Sequence, residues 1–316
     1  MDEINRDDIY IINRNSNLDE EKVAQLLRKN IYSSTKAWKQ FLRILFLSLG
    51  LSFLLSGIIF FFAYNWADMP KFLKLGLVES LLVIATIPVF IPKIRPVARN
   101  ILLSGASVLV GVLFAVFGQI YQTGANAYDF FFGWTLSITL WVLVSNFAPL
   151  WLMYILLVNV TLHLYIQQVA GYWNDFVEIN LLFALNLIFL AAAFLLPKRR
   201  IIAEVPSWFT NILAIGTVVI STAGISFGIH SPEAEGMSIL VPLAAVSYTA
   251  GVFHGYYTKN EFYLAIIPFS LVIIISSLLM KISTDVNMFL ITCIFIIASV
   301  TMIIKTLLDI RRKWKH

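Results

Sequence analysis

Long apolar runs of about 20 residues, separated by short polar segments, dominate this chain from residue 43 onward. A run of that length matches a helix that crosses the hydrocarbon layer of a bilayer, which is about 30 Å thick. The pattern therefore predicts ten membrane-spanning helices. They fall at about 43–64, 72–92, 100–119, 129–147, 149–169, 177–196, 207–229, 236–256, 260–280 and 286–308.

The boundary between the fourth and fifth spans is the weakest feature of this pattern. Only Ala148 and Pro149 interrupt the apolar sequence there. Two separate helices are one interpretation. A long kinked helix or a re-entrant element is the other, because a proline both restricts the residue before it and interrupts a helix.

Composition supports the same class. Hydrophobic residues make up 59% of the chain and charged residues 13%, against roughly 45–50% and about 25% in soluble domains. The predicted fold is all-α, a polytopic membrane helix bundle of about ten transmembrane helices. Residues 1–42 form a cytosolic N-terminal amphipathic helical segment, residues 43–308 the transmembrane domain, and residues 309–316 a basic cytosolic tail.

The positions of the basic residues predict the orientation. If the N-terminus is cytoplasmic, only Lys71, Lys74 and Lys281 of the 23 Lys and Arg residues fall on the opposite side. Such a bias is the positive-inside pattern, and it predicts that both termini lie in the cytoplasm. The formal charge of +5 then reflects topology and contact with membrane lipids, and no nucleic-acid partner is predicted.

The segment before the first span contains one predicted helix. In "SNLDEEKVAQLLRKNIY" Ser16 can cap the helix, acids fill the first turn, and an apolar stripe follows. We favour a helix that lies on the membrane or on the inner loops. A dedicated partner-binding module is the alternative.

Two ionisable residues lie within predicted spans at similar depth. Glu79 is about seven residues into the second span, roughly 10 Å from the predicted outer side, and His163 is about six residues from the outer end of the fifth. Because an ionisable group in the hydrocarbon layer is costly, the two could form a pair that shares a proton. Alternatively, each makes its own hydrogen bond to a neighbouring helix.

Amides, acids and aromatic residues are concentrated on the predicted outer side. This favours a cavity that opens outward and suits a cation, a polyol or a small zwitterion. The plainer interpretation is that helix ends need caps and that Tyr and Trp belong at membrane interfaces. The polar residues concerned are Asn65, Asp68, Gln119, Gln122, Asn126, Asp129, Asn159, Asp175, Glu178 and Asn180.

Small residues predict close helix contacts. Gly224 and Gly228 are four residues apart, as are Gly251 and Gly255, and this spacing lets two helix backbones approach each other. The pattern is common in membrane helices and indicates tight packing.

Signals for catalysis and for metal binding are weak. The sequence contains no HExxH, Gly-x-Ser-x-Gly or Walker motif, Cys293 is a single cysteine, and the four histidines are scattered. We therefore predict a protein that is not an enzyme and that has no metal site and no cofactor.

Two polar motifs resemble a known family. "FFFAYNW" ends the first span, and "GQIYQTGANAYDFFFGW" surrounds the third and fourth. Over residues 18 to 170 the chain is similar to a family of predicted bacterial multi-pass membrane proteins, catalogued as a domain of unknown function. The resemblance implies a bacterial inner-membrane protein and no particular activity. It implies a candidate site made of Tyr64, Asn65, Trp66, Gly118, Gln119, Tyr121, Gln122, Asp129 and Trp134.

Two functions are consistent with these observations. The first is a small-solute or ion transporter or permease, with an outward-facing polar cavity built from the first six spans, Glu79 as carrier and His163 as its partner. The second is a sensor or assembly protein that does not transport and that binds a ligand or partner at the outer face. The sequence leaves the solute and the oligomeric state open.

Overall fold

The computed structural model of the chain describes residues 19–30, 35–64, 69–121, 124–171, 173–198, 205–231, 236–283 and 285–315. The described residues form helices and contain no strand. They divide into unit 1, which runs to Val112, and unit 2, which begins at Leu113. The division falls within one helix.

Unit 1 contains a short helix, α1 (Glu20–Asn30), followed by α2 (Thr35–Tyr64), α3 (Lys71–Thr86) and the first part of α4 (Pro96–Tyr121). Because Pro88 cannot donate a backbone hydrogen bond, the chain continues after α3 as a 3₁₀ turn, Ile87–Phe90.

Asp19 precedes α1 and supports its first turn. Asp19 accepts a hydrogen bond from the Glu20 N–H through Oδ1, at 2.9 Å, and its carbonyl accepts bonds from the amides of Lys22 and Val23. The predicted cap, Ser16, lies outside the described residues. An aspartate at this position satisfies a free amide and also places negative charge at the positive end of the helix.

Unit 2 contains seven further helices. They are α5 (Ala127–Ser145), α6 (Ala148–Gln168), α7 (Asp175–Lys198), α8 (Ser207–His230), α9 (Met237–Tyr257), α10 (Glu261–Ile282) and α11 (Val286–Lys315). Helices joined by short loops pack against each other, so neighbours in sequence run antiparallel. Within the described residues, ten helices are long and apolar enough to cross a membrane, as predicted.

Spans four and five are separate helices. The break comes at Asn146, whose φ of 48° and ψ of 39° place it in the left-handed region and end α5. Asparagine tolerates this conformation better than most residues with a side chain. Pro149 lies in the first turn of α6, where its missing N–H costs nothing. The two helices then pack as a hairpin.

Helix α8 lies at the centre of unit 2. Its side chains pack with α7 and α9 around Phe183 and Leu240, with α6 and α7 around Phe209, and with α9 and α10 around Val218. Polar hydroxyls in the helices are satisfied by the carbonyl one turn earlier, as between Thr217 Oγ1 and Leu213 O at 2.8 Å. Surface positions of the same helices are mostly large apolar residues, as contact with lipid requires.

The glycines of α8 and α9 permit this packing, as predicted. A Cβ added at Gly224 would lie 2.4 Å from Ile179 Cγ2 and 2.9 Å from Leu240 Cδ2, and one at Gly251 would lie 2.6 Å from Ile267 Cδ1. Lipid tails are as apolar as the side chains, so these helices are held by close contact and hydrogen bonds more than by exclusion of water.

Candidate functional site

The residues of the first predicted motif lie in unit 1. Tyr64 ends α2 with 90% of its surface exposed, and Asn65 and Trp66 lie outside the described residues. Glu79 lies in the middle of α3 with an exposed side chain. It makes no hydrogen bond or ion pair within the described part of unit 1.

The second motif lies in unit 2. Gln119 and Tyr121 are exposed near the end of α4, and Tyr121 contacts Phe117 with 4.7 Å between ring centroids. Asp129 Oδ2 accepts a hydrogen bond from the Asn126 N–H at 3.0 Å, so it stabilises the start of α5. Trp134 packs on Phe130 one turn earlier. Gly118 is partly buried and Gln122 lies outside the described residues.

This second motif is attached to the far end of α6. The Tyr128 N–H donates to Gln168 Oε1 at 2.9 Å, and the Tyr128 ring lies 5.2 Å from that of Tyr165. Tyr165 in turn contacts Trp173. The motif therefore has a structural role in joining α5 to α6. A shared site between this motif and the residues of unit 1 remains a prediction. The unit 1 residues concerned are Tyr64, Asn65, Trp66 and Glu79.

His163 lies within hydrogen-bond distance of Glu178. Its Nδ1 lies 2.5 Å from Glu178 Oε1, and Gln167 Nε2 donates to Glu178 Oε2 at 2.8 Å. The Glu178 side chain is only 13% exposed, whereas His163 is 51% exposed. We name His163, Gln167 and Glu178 the His163 cluster. This cluster joins α6 to the first turn of α7. The Glu178 carboxylate therefore has two polar partners, both near the end of α6.

A second connection between α6 and α7 lies deeper. Asn186 Nδ2 donates to Asn159 Oδ1 at 2.6 Å, and Asn159 Nδ2 returns a longer bond to Asn186 Oδ1 at 3.5 Å. Each amide also donates to the carbonyl one turn earlier on its own helix. Asn159 precedes His163 by one turn, about 6 Å along α6. We name Asn159 and Asn186 the amide pair.

A double-mutant cycle tests whether the amide pair couples the two helices. We expect Asn186→Leu to lower the free energy of unfolding by about 1 kcal/mol, because Asn159 Oδ1 loses its interhelical donor. Asn159→Leu should have a similar cost. The double variant should cost no more than either single one, when unfolding is followed by circular dichroism in detergent and SDS. Additive effects would show that the two amides act independently.

Four hydroxyl groups meet at the centre of α8, α9 and α10. The Tyr248 hydroxyl lies 2.8 Å from Ser221 Oγ and 2.6 Å from Ser270 Oγ, and Ser270 Oγ lies 2.6 Å from Thr222 Oγ1. All four side chains are buried. Ser221 and Thr222 also donate to backbone carbonyls of α8. We name these residues the hydroxyl cluster.

A cavity of about 250 Å³ lies next to the hydroxyl cluster, between α7, α8, α9 and α10. Its walls are mostly apolar. Thr217, Ser247 and Tyr248 supply polar groups at its middle, and His254 and Tyr263 supply them at the end where α9 finishes and α10 begins. Its volume is several times that of a water molecule, which occupies about 30 Å³ in the liquid.

The amide pair lies near this cavity. A Cβ at Gly216 would be 4.0 Å from Asn186 Oδ1, and the next residue, Thr217, lines the cavity. Unit 2 thus contains polar groups at the amide pair, at the hydroxyl cluster and in the cavity, and the His163 cluster lies one turn further along α6 than Asn159. Among the described residues, no group of three His, Cys, Asp or Glu side chains could hold a metal ion.

The sequence contained signals for these groups that our sequence analysis did not use. Asn186 is an amide in the middle of an apolar span, where a polar side chain needs a partner. Tyr248 also lies at the middle of its helix, although tyrosines in membrane helices concentrate at the interfaces. Both residues could have been recognised as interior contacts from their depth alone.

The ten apolar helices among the described residues define a polytopic helical membrane protein. Those of unit 2 enclose polar side chains. Residues 13–151 match the model of a family described as "Predicted membrane protein (DUF2157)", which confirms the predicted resemblance. A search of curated proteins and a search of solved structures each returned no match. The His163 cluster, Asn186, the hydroxyl cluster and the cavity all lie beyond the matched residues.

Proposed function

We propose that the chain is an ion transporter whose pathway passes through unit 2, and that the ion it moves is the proton. The observation that carries this proposal is that unit 2 holds three interhelical polar groups, the His163 cluster, the amide pair and the hydroxyl cluster, and that the cavity lies beside the last two. Interhelical hydrogen bonds alone would serve stability; the cavity beside them is what favours a pathway, because tight packing would fill it with apolar side chains.

The His163 cluster suits the start of such a pathway. Glu178 is mostly buried, and it is held by His163 and by the neutral Gln167 amide. A carboxylate beside a histidine can take up and release a proton, because the proton can reside on either partner. The proposal therefore assigns the carrier role to Glu178 with His163. Glu79 remains a second carboxylate within the spans, on unit 1.

The hydroxyl cluster suits proton passage through the middle. Ser221 and Thr222 can donate to carbonyls of α8, which leaves the protons of Tyr248 and Ser270 to join the four oxygens. Those two protons allow two arrangements with the same heavy-atom positions. In the first, Tyr248 donates to Ser221 and Ser270 donates to Tyr248. In the second, Tyr248 donates to Ser270 and Ser270 donates to Thr222. Rotation of the two O–H bonds interconverts these arrangements, and each proton stays on its own oxygen. Net transfer needs a second step, in which a hydroxyl accepts an incoming proton and releases its own proton to the next oxygen.

The orientation we propose puts both termini in the cytoplasm, on the basis of the distribution of Lys and Arg. The resemblance of the two polar motifs supports a bacterial inner membrane as the location. In that orientation the His163 cluster lies toward the outer side, and the cavity extends from the middle of the helices into the cytoplasmic half. The proposed pathway then differs from the predicted outward cavity of spans one to six. It lies within spans five to nine.

Proton flux into liposomes tests the proposal. Liposomes that contain the purified chain and the pH dye pyranine would be given a potassium diffusion potential with valinomycin. We expect proton uptake well above that of empty liposomes, and we expect Glu178→Gln to slow it at least tenfold, because the amide keeps the geometry but cannot ionise. Uptake equal to empty liposomes would refute the proposal.

Asp175→Asn is the matched control, since it makes the same chemical change on the first turn of α7. The Asp175 side chain is exposed, and it is not a member of the His163 cluster. We expect this variant to keep the rate of the parent protein within twofold. An equal loss in Asp175→Asn and Glu178→Gln would show that the charge of the helix end is responsible, and that Glu178 is not a carrier.

A further inference from the structure

A basic pocket lies in unit 1, where the beginning of α2 faces the beginning of α4. It has a volume of about 610 Å³. Four cations line it: Lys36, Lys39, Arg43 and Arg95. No acidic residue is among its lining residues, and none of the four cations forms a salt bridge with a described residue.

The helix geometry concentrates positive charge at this pocket. Lys36, Lys39 and Arg43 are spaced by three and four residues, so they lie on one face of α2. Arg95 precedes α4, and Val97 and Ala98 in the first turn of α4 also line the pocket. The free amides of a helix start carry partial positive charge. Cations that line one pocket repel one another, and an anion bound between them would remove this repulsion.

The pocket changes from polar to apolar along its length. Thr35, Gln40 and the four cations supply its polar part, and Ile44, Leu47 and Ile101 supply its apolar part further along α2 and α4. Trp38 and Phe41 lie in the same turns of α2 and are exposed. Their ring centroids are 5.6 Å apart. Aromatic residues next to an apolar span mark the level of the lipid headgroups.

We propose that this pocket binds the phosphate-bearing headgroup of an anionic phospholipid. The four cations and the start of α4 hold the phosphate, and the apolar part accepts the beginning of the acyl chains. The positive-inside pattern explains why cations lie on this side of the membrane, but it does not require them to surround a pocket. The apolar part of the pocket favours a lipid, because free phosphate has no apolar group that could contact it.

Native mass spectrometry of the full chain in detergent tests the site. Dioleoyl phosphatidylglycerol would be titrated against dioleoyl phosphatidylcholine, which has the same acyl chains and no net charge. We expect preferential binding of phosphatidylglycerol. We expect Lys39→Gln with Arg43→Gln to weaken it about 10- to 30-fold, because each cation near an anionic surface contributes about fivefold and the two factors multiply.

The control variant carries Lys93→Gln and Lys313→Gln. These changes remove two exposed cations that do not line the pocket, and affinity for phosphatidylglycerol should stay within twofold. Equal losses in the two double variants would overturn the proposal, as would equal binding of the two lipids by the parent. All the changed side chains are exposed, and an unchanged thermal unfolding profile would establish that the variants fold.

A soluble competitor separates the two sources of phosphate. Inorganic phosphate at 1000-fold excess over the lipid should leave phosphatidylglycerol bound. Displacement of the lipid under these conditions would assign the pocket to a free anion and overturn the assignment to a membrane lipid.

Discussion

Gly224→Ala is expected to destabilise unit 2, although it adds only one methyl group. The added Cβ would lie 2.4 Å from Ile179 Cγ2 on α7 and 2.9 Å from Leu240 Cδ2 on α9. Ile179 Cγ2 is bonded to its own Cβ, so it cannot move away without a change of χ1 or a separation of the helices. Overpacking of this kind costs about 1–3 kcal/mol, which corresponds to a fall in melting temperature of roughly 2–10 °C for a chain of this size.

Gly216→Ala is the matched control on the same helix. The nearest atom to its added Cβ is Asn186 Oδ1 at 4.0 Å, an ordinary contact distance. Because alanine favours a helix more than glycine does, this variant should be as stable as the parent or more stable, by up to about 1 kcal/mol. The two variants would be compared by thermal unfolding in detergent. If they shift the melting temperature in the same direction and by the same amount, the described contact between α7, α8 and α9 is wrong.

The positions of the helices could be predicted from the sequence because the bilayer fixes their length. Each predicted span corresponds to a helix of the structure, with ends that differ by a few residues or, at α2 and α11, by about two turns. The separation of spans four and five depended on a single backbone conformation. Asn146 in the left-handed region ends α5, and the sequence pattern alone also allowed a continuous kinked helix.

The partners of the polar residues could not be predicted in the same way. Depth along a span can be counted, but the rotation of each helix about its axis depends on packing against neighbours. Several acids share the predicted side of His163, Glu79 and Glu178 among them, and the geometry joins it to Glu178. The hydroxyl cluster requires three helices to present Ser221, Tyr248 and Ser270 at one point.

The family motifs show a different limit. Asp129 and Tyr128 have structural partners at the start of α5 and the end of α6, which agrees with the plainer interpretation of polar residues at helix ends. A shared site with Tyr64, Asn65 and Trp66 depends on residues outside the described range and on the other unit. That site remains a prediction from the resemblance.

The proposed transport function requires water inside unit 2. A sensor or assembly protein does not, since its buried polar groups can serve only to hold helices together. The two functions therefore differ most at the middle of α9. Ser247 lies ten residues from either end of this helix, about 15 Å from each, and it lines the cavity.

Thiol labelling at Ser247 is the most direct measurement of this difference. Cys293 would first be replaced by serine, and Ser247→Cys then exchanges one small side chain for another of similar shape. The reagent is a charged methanethiosulfonate that does not cross membranes and that reacts with the thiolate, which forms in water. Thr249→Cys is the control: it replaces a hydroxyl two residues away on the exposed surface of the same helix.

In proteoliposomes, we expect Cys at position 247 to be labelled at least 50-fold faster than Cys at position 249, from the side to which the cavity opens. Such a result would mean that water reaches the middle of the membrane through unit 2, as a proton pathway requires. Equally slow labelling of both thiols, in variants that unfold at the temperature of the parent, would mean a sealed bundle. The proposed transport pathway would then be wrong.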